Sequence, residues 1–338
     1  MGALHCRKAS VLRQEPSVLD MENVFFQGGR LRPFIRFLIS AVGILACFMV
    51  ISFLAVAMRL RIPWLPGQLS LMLRYNLPLL LALLGLYALL THLFDRRPLG
   101  SVGVAFHPRW RNELAIGLAA GAVMILAVGS AEGLLGFARF SLSNSSAGRT
   151  AVAEVFLFVL LLVSAADEEL IFRGYPFQRL VDSVGPVISV IAVSILFGAV
   201  HLWNPFHTWI STLNTAVVGV LLAVCYLRTR ALWLPFGIHF AWNFVQGCVL
   251  GLPVSGLTLP YPILSARVSG PVWLTGGAYG PEGSILTLGV LAAGTIYFIV
   301  SGRISMTAEM RKLALGPGDE EELVKPLFSG ETFPADKT

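Results

Sequence analysis

The chain has 338 residues, of which 56% are hydrophobic and only 13% are charged, against roughly 25% charged residues in an average soluble domain. Its mean hydropathy is +0.75. So much apolar surface excludes a soluble enzyme or binding module, and it excludes disorder for the bulk of the chain. The net charge of +6 does not indicate a nucleic-acid partner, because basic residues crowd the cytoplasmic loops of membrane proteins.

Long apolar runs divide the chain into predicted membrane spans. A bilayer core about 30 Å thick needs about 20 apolar residues in a helix. Eight runs meet or approach this length, at residues 37–58, 77–94, 114–137, 151–172, 186–203, 208–227, 232–250 and 284–301. The sequence therefore predicts an all-α polytopic membrane protein with about eight transmembrane helices.

The remaining segments set the domain organisation. We expect a cytoplasmic N-terminal segment at 1–33, a membrane-embedded domain at 34–302, and a flexible cytoplasmic tail at 303–338 with an acidic run at 319–322. The loop 251–283 is rich in Gly and Pro and could partly re-enter the membrane. If the N-terminus is inside, the inner segments carry 19 Lys and Arg residues and the outer loops carry 6. This asymmetry predicts that both termini are cytoplasmic.

Ionisable residues within the apolar runs are functional candidates, because charges inside a bilayer are costly. Glu169 and Arg173 are four residues apart, so they share a helical face and can pair. Glu168 is turned about 100° away from Glu169, which leaves its carboxylate free to act elsewhere. A purely structural ion pair is the competing interpretation. Glu168, Glu169 and Arg173 form the first of three clusters. The second contains His201, which follows Phe197 by four residues, and the third is the pair His239 and Asn243.

The spacing predicts how these clusters meet. Gly185 begins a Gly-Pro turn, with Glu168 17 residues before it and His201 16 residues after it. An antiparallel helical hairpin would bring both side chains to one height, provided that the fourth helix continues past Arg173 towards Asp182. Residue 239 lies about 15 Å into the seventh span, so all three clusters can converge at moderate depth from the cytoplasmic side.

A glutamate with two histidines suits two kinds of amide hydrolysis. In the first, Glu168 takes a proton from water that His201 orients, while His239 and Asn243 stabilise the oxyanion. In the second, Glu168, His201 and His239 bind zinc, which activates the water. The H-E-x-x-H pattern of metalloproteases is absent. We therefore favour a reaction without a cofactor, and zinc remains possible.

These motifs resemble those of a known membrane family. Glu168-Glu169-x-x-x-Arg173, Phe197-x-x-x-His201 and His239-x-x-x-Asn243 follow one another on successive apolar segments. Together they are similar to the signature of the CPBP intramembrane proteases, which include the type II CaaX prenyl protease and many bacterial membrane proteins. The motif core covers 165–245, and the phrase at 275–283 resembles a loop of bacterial members.

The resemblance implies an intramembrane endopeptidase with a site open to the cytoplasm. Glu168 would be the base, with His201, His239 and Asn243 as its partners and Glu169 and Arg173 in support. The substrate would be a membrane-associated peptide or protein that undergoes CaaX-type processing. The protein would lie in a bacterial plasma membrane.

A protein without catalytic activity could use the same cluster as a proton or ligand site. It would be a transporter, or a bacteriocin-immunity or binding protein. Transporters often show paired halves with broken helices. The sequence shows no such halves, which favours the enzyme.

Overall fold

A computed structural model of the protein describes residues 25–27, 30–57 and 67–314, and it is helical almost throughout. The helices are α1 (Pro33–Ala57), α2 (Gly67–Leu90), α3 (Trp110–Leu134), α4 (Ala147–Arg173), α5 (Tyr175–Val184), α6 (Pro186–Val200), α7 (Trp209–Thr229), α8 (Trp233–Phe244), α9 (Val272–Thr275), α10 (Ile285–Val300) and α11 (Ala308–Ala314). Each of the eight predicted spans falls on one of the longer helices.

Five helical stretches among the described residues are long and apolar enough to cross a membrane. They are Pro33–Ala57, Leu69–Asp95, Trp110–Leu134, Pro186–Trp203 and Trp209–Thr229, and Ile285–Val300 is a shorter apolar helix. Many large apolar side chains of α1 are exposed, such as Val42, Met49 and Phe53, as expected of a surface that faces lipid. The structure thus confirms an all-α polytopic membrane protein.

Short strands occur outside the helices. Strand β1 (Phe26–Gln27) pairs with β2 (Arg30–Leu31), and β3 (Ala138–Leu142) pairs antiparallel with β4 (Leu264–Val268). The second pair anchors part of the long loop 251–283 to the segment that follows α3. The sequence analysis predicted no strand there.

Close packing between α3 and α8 fixes the position of the third motif. A Cβ atom added to Gly121 of α3 would lie 2.3 Å from the carbonyl oxygen of Ile238 in α8. Only a residue without a side chain allows the two backbones to approach so closely, as in many membrane helix pairs. Because Ile238 precedes His239, this contact holds His239 at a defined depth.

The helical hairpin around the turn at Gly185 differs from the expected one. The fourth helix does not continue past Arg173: α4 ends there, and α5 begins after Gly174, whose N–H donates to the Leu170 carbonyl oxygen at 3.0 Å. Glu168 and His201 nevertheless lie 3.9 Å apart. The separate helix α5 connects α4 to α6 and allows the two side chains to approach. The expectation of one long helix was wrong, and so was the expectation that the site depends on it.

The first part of the predicted tail packs against the helical body. Met310 of α11 is fully buried, and the Arg109 guanidinium donates to the Ser305 carbonyl oxygen at 2.9 Å. The acidic run at 319–322 and most of the N-terminal segment lie outside the described residues.

Candidate active site

A cavity of about 220 Å³ lies at the place where the three motifs meet. All four predicted central residues line it: Glu168, His201, His239 and Asn243. They come from α4, the turn after α6, and α8. The rest of the wall is mostly apolar, with contributions from α7 and the long loop 251–283.

One carboxylate oxygen faces both histidines. Glu168 Oε2 lies 3.9 Å from His201 Nε2 and 3.8 Å from His239 Nε2. These gaps exceed a direct hydrogen bond. Both separations match a bridge by one water oxygen about 2.8 Å from each atom, and Oε2 itself is buried without a hydrogen-bond partner among the described residues. The Glu168 side chain keeps 31% of its exposure, so it is open to the cavity and partly screened from solvent.

The helix end orients His201. Its Nδ1 lies 2.7 Å from the carbonyl oxygen of Phe197, four residues earlier, where α6 ends and leaves that carbonyl without a continuing helical partner. Because a carbonyl oxygen can only accept, Nδ1 carries the hydrogen and Nε2 presents a lone pair in the neutral ring. The local fold thus selects the tautomer in which Nε2 can accept a hydrogen bond from water.

Glu169 links the first and third motifs. Its Oε1 lies 2.8 Å from His239 Nδ1 and 3.2 Å from Arg173 Nη1. The Arg173 guanidinium also donates to the Gly219 carbonyl oxygen at 3.3 Å and lies 4.5 Å from the centre of the Phe197 ring. The i, i+4 contact expected between Glu169 and Arg173 forms. The hydrogen bond to His239 was not expected, because it joins residues 70 positions apart.

Sequence reasoning missed a second carboxyl in the cavity. Glu282 and Ser255 of the long loop also line it. Glu282 Oε2 accepts hydrogen bonds from the Ser255 N–H at 2.5 Å and from the Ser255 hydroxyl at 3.1 Å. The signal was present in the phrase at 275–283, which carries Glu282 between Pro281 and Gly283, but the phrase alone gave that residue no role.

The spacing of the three central groups is poor for zinc. An ion about 2.1 Å from two atoms that are 3.8 or 3.9 Å apart subtends an angle of about 130–136°, far from the tetrahedral value of about 109° that structural and catalytic zinc sites approach. Within the described part of the chain, no group of three His, Cys, Asp or Glu side chains is arranged to hold a metal ion.

Comparison with known families agrees with the motifs. The family model described as "Type II CAAX prenyl endopeptidase Rce1-like" matches residues 151–245, which contain all four central residues. No curated protein and no solved structure gives a significant match. The match supports an intramembrane endopeptidase activity in general, with membrane-associated substrates. The segment 151–245 is thus similar to the type II CAAX prenyl endopeptidases, as the sequence motifs predicted.

Proposed function

We propose that the protein is an intramembrane endopeptidase in which Glu168 activates water for attack on a peptide bond. The single observation that carries this proposal is the position of Glu168 Oε2, 3.8–3.9 Å from both histidine Nε2 atoms, at the wall of the cavity. These separations suit a water molecule that bridges a base and two groups that can orient it or stabilise charge.

The reaction begins with the water. Its oxygen attacks the carbonyl carbon of the substrate while Glu168 takes one of its protons and His201 Nε2 accepts a hydrogen bond from the other. The carbonyl oxygen becomes an oxyanion. His239, protonated at both nitrogens, donates Nδ1–H to Glu169 and Nε2–H to that oxyanion. Asn243, one helical turn further on, supplies an amide donor.

The second step returns the proton. The tetrahedral intermediate collapses, the C–N bond breaks, and the proton held by Glu168 passes to the leaving nitrogen. A carboxylic acid and an amine result, and Glu168 is ionised again. Glu169 and Arg173 do not touch the reacting atoms in this scheme, so they are positioning residues that act through His239.

Two features support a reaction without a metal. The separations between Glu168 Oε2 and the two Nε2 atoms suit a bridging water better than zinc, and Asn243 is a good donor but a poor zinc ligand. The hydrogen bonds at the two Nδ1 atoms suit either mechanism, because zinc-binding histidines are anchored in the same way.

The test is peptide cleavage by the purified protein in lipid nanodiscs. Prenylated and unprenylated membrane-anchored peptides are incubated with the wild-type protein, and products are identified by mass spectrometry. We expect cleavage that requires Glu168 and is lost in Glu168→Gln. The matched control is Glu154→Gln on the same helix, because Glu154 does not line the cavity. Cleavage that survives Glu168→Gln would contradict the mechanism. Tight peptide binding without cleavage would favour a binding protein.

A further inference from the structure

The loop at 275–283 forms one wall of the cavity and brings a second carboxyl to it. Glu282 lines the same cavity as Glu168. The sequence motif contained this residue, and the mechanism proposed above does not use it. Its position in the wall makes it a candidate contact for the substrate.

Contacts from separate elements hold Glu282 in place. The Ser255 N–H and hydroxyl donate to its Oε2, and the Asn214 side chain in α7 donates to its main-chain oxygen at 2.7 Å. Ser255 therefore orients the carboxyl, and Asn214 holds the backbone that carries it. A side chain held in this way loses little further freedom when it binds a ligand group.

The loop backbone is shaped to reach this position. Gly280 has φ +103°, and a Cβ atom there would lie 2.0 Å from the Pro253 carbonyl oxygen. A residue with a side chain would clash with the segment that carries Ser255 and would be strained at this φ value. The main-chain bond from Gly256 N–H to the Tyr279 carbonyl oxygen, at 2.8 Å, joins the same two segments.

Carboxyl groups outnumber cationic groups in the described cavity wall, where the protonated His239 of the proposed mechanism is the cation. Its ionisable side chains are Glu168, Glu282 and the two histidines, and no Lys or Arg is among the described residues that line it. The buried Arg173 is paired with Glu169. A cationic group that enters the cavity finds an acceptor at Glu282, whereas a carboxylate meets two groups of its own charge.

We propose that Glu282 is a specificity-determining residue that binds a cationic side chain, Lys or Arg, of the peptide substrate near the cleaved bond. This inference rests on the proposed function, which it deepens by naming a substrate class. A charge-assisted hydrogen bond in a partly dry cavity is among the stronger polar contacts. We therefore expect a preference for the cationic substrate of about tenfold or more.

The test compares two palmitoylated peptides that differ only in Lys or norleucine, placed in turn at each position around the cleaved bond. At the best position, wild type should show a KM about tenfold lower for the Lys peptide. Glu282→Gln keeps an amide oxygen that can accept the Ser255 bonds but removes the charge. It should bring the ratio of the KM values for the two peptides close to one. Equal ratios in wild type and Glu282→Gln refute the proposal.

A binding measurement separates this inference from the protease assignment. In the Glu168→Gln background, fluorescence anisotropy of labelled peptides reports affinity without turnover. A preference for the Lys peptide that disappears in Glu168→Gln/Glu282→Gln supports the inference, whether or not the wild type cleaves peptides. Absence of cleavage by the wild type would refute only the proposed function. If no Lys preference appears in binding or cleavage, the inference is wrong.

A third measurement needs no variant at position 282. Burial raises the pKa of the Glu282 carboxyl to about 7, against the opposing effects of the hydrogen bonds from Ser255 and Gln246 and of the charge on His239. The wild-type preference for Lys should therefore rise between about pH 6 and pH 8 as Glu282 ionises. The norleucine peptide is the internal reference, because titration of Glu168, His201 and His239 affects both peptides. A preference that is constant over this range contradicts the proposal.

Discussion

The ion pair between Glu169 and Arg173 provides a quantitative test of the buried site. Their side chains are 1% and 0% exposed. Replacing only one partner leaves the other charge buried without compensation, which costs about 3–5 kcal/mol. Glu169→Gln and Arg173→Met should each lower the free energy of unfolding by about this amount. Each variant keeps some compensation, because the Gly219 carbonyl oxygen and the Phe197 ring contact the guanidinium in Glu169→Gln and His239 still donates to Glu169 in Arg173→Met. Both should therefore fall at the lower end.

The double variant separates the pair from its surroundings. With both charges removed, neither Glu169 nor Arg173 is left as an unpaired buried ion, so Glu169→Gln/Arg173→Met should be destabilised by at least about 2 kcal/mol less than the sum of the single changes. The assay is reversible unfolding in mixed detergent, followed by intrinsic fluorescence. Single changes below about 1 kcal/mol, or strict additivity, would refute the reasoning.

Activity distinguishes support from direct participation. In Glu169→Gln, the amide oxygen of the new side chain can still accept a hydrogen bond from His239 Nδ1, so the ring keeps its orientation. We expect the activity of this variant to fall along with the amount of folded protein. A stable but inert Glu169→Gln protein would mean that Glu169 takes part in the reaction itself.

Three further predictions concern helix packing, the pH dependence of stability, and the zinc content. Gly121→Ala places a methyl group 2.3 Å from the Ile238 carbonyl oxygen, so expression and activity should both fall, whereas Gly289→Ala, with nothing within 4 Å, should change neither. The folded state raises the pKa of Glu282 from 4.5 to about 7, so this group's contribution to stability is complete below about pH 4.5 and is lost as pH rises through about 7. The melting temperature should therefore decline between about pH 4.5 and 7, and Glu282→Gln should remove that part of the decline. Elemental analysis should find less than one zinc per chain, with activity retained after dialysis against a chelator; one zinc per chain, lost together with activity in His201→Ala, would favour the metal mechanism.

Apolar length was enough to predict the positions of the main helices, and five of these among the described residues are long and apolar enough to cross a membrane. The seventh span, predicted at 232–250, corresponds to α8 and the π-helical segment Val245–Val249 that continues it. The contact of Glu169 with Arg173 followed from an i, i+4 spacing, which depends only on the geometry of one helix. Local features of this kind can be read from a single sequence.

Features that depend on contacts between distant segments could not be predicted. The hydrogen bond between Glu169 and His239 depends on how α4 packs beside α8, which periodicity does not specify. The helix break at Gly174 is different, because Gly174 and Pro176 at the start of α5 are local signals of a boundary that the sequence prediction did not use. Glu282 was missed because its role depends on the fold of an irregular loop over the cavity, and such loops have no periodic signal.

The most direct test of the central claim is the kcat of Glu168→Gln, normalised to the folded fraction, against wild type and Glu154→Gln. Glutamine keeps the volume and a hydrogen-bond acceptor but cannot take the proton of water, so kcat should fall by more than the roughly 10²–10⁴ typical of acid–base help. Glu154→Gln should keep the wild-type rate. A folded Glu168→Gln protein with near wild-type kcat would contradict the assignment of Glu168 as the base.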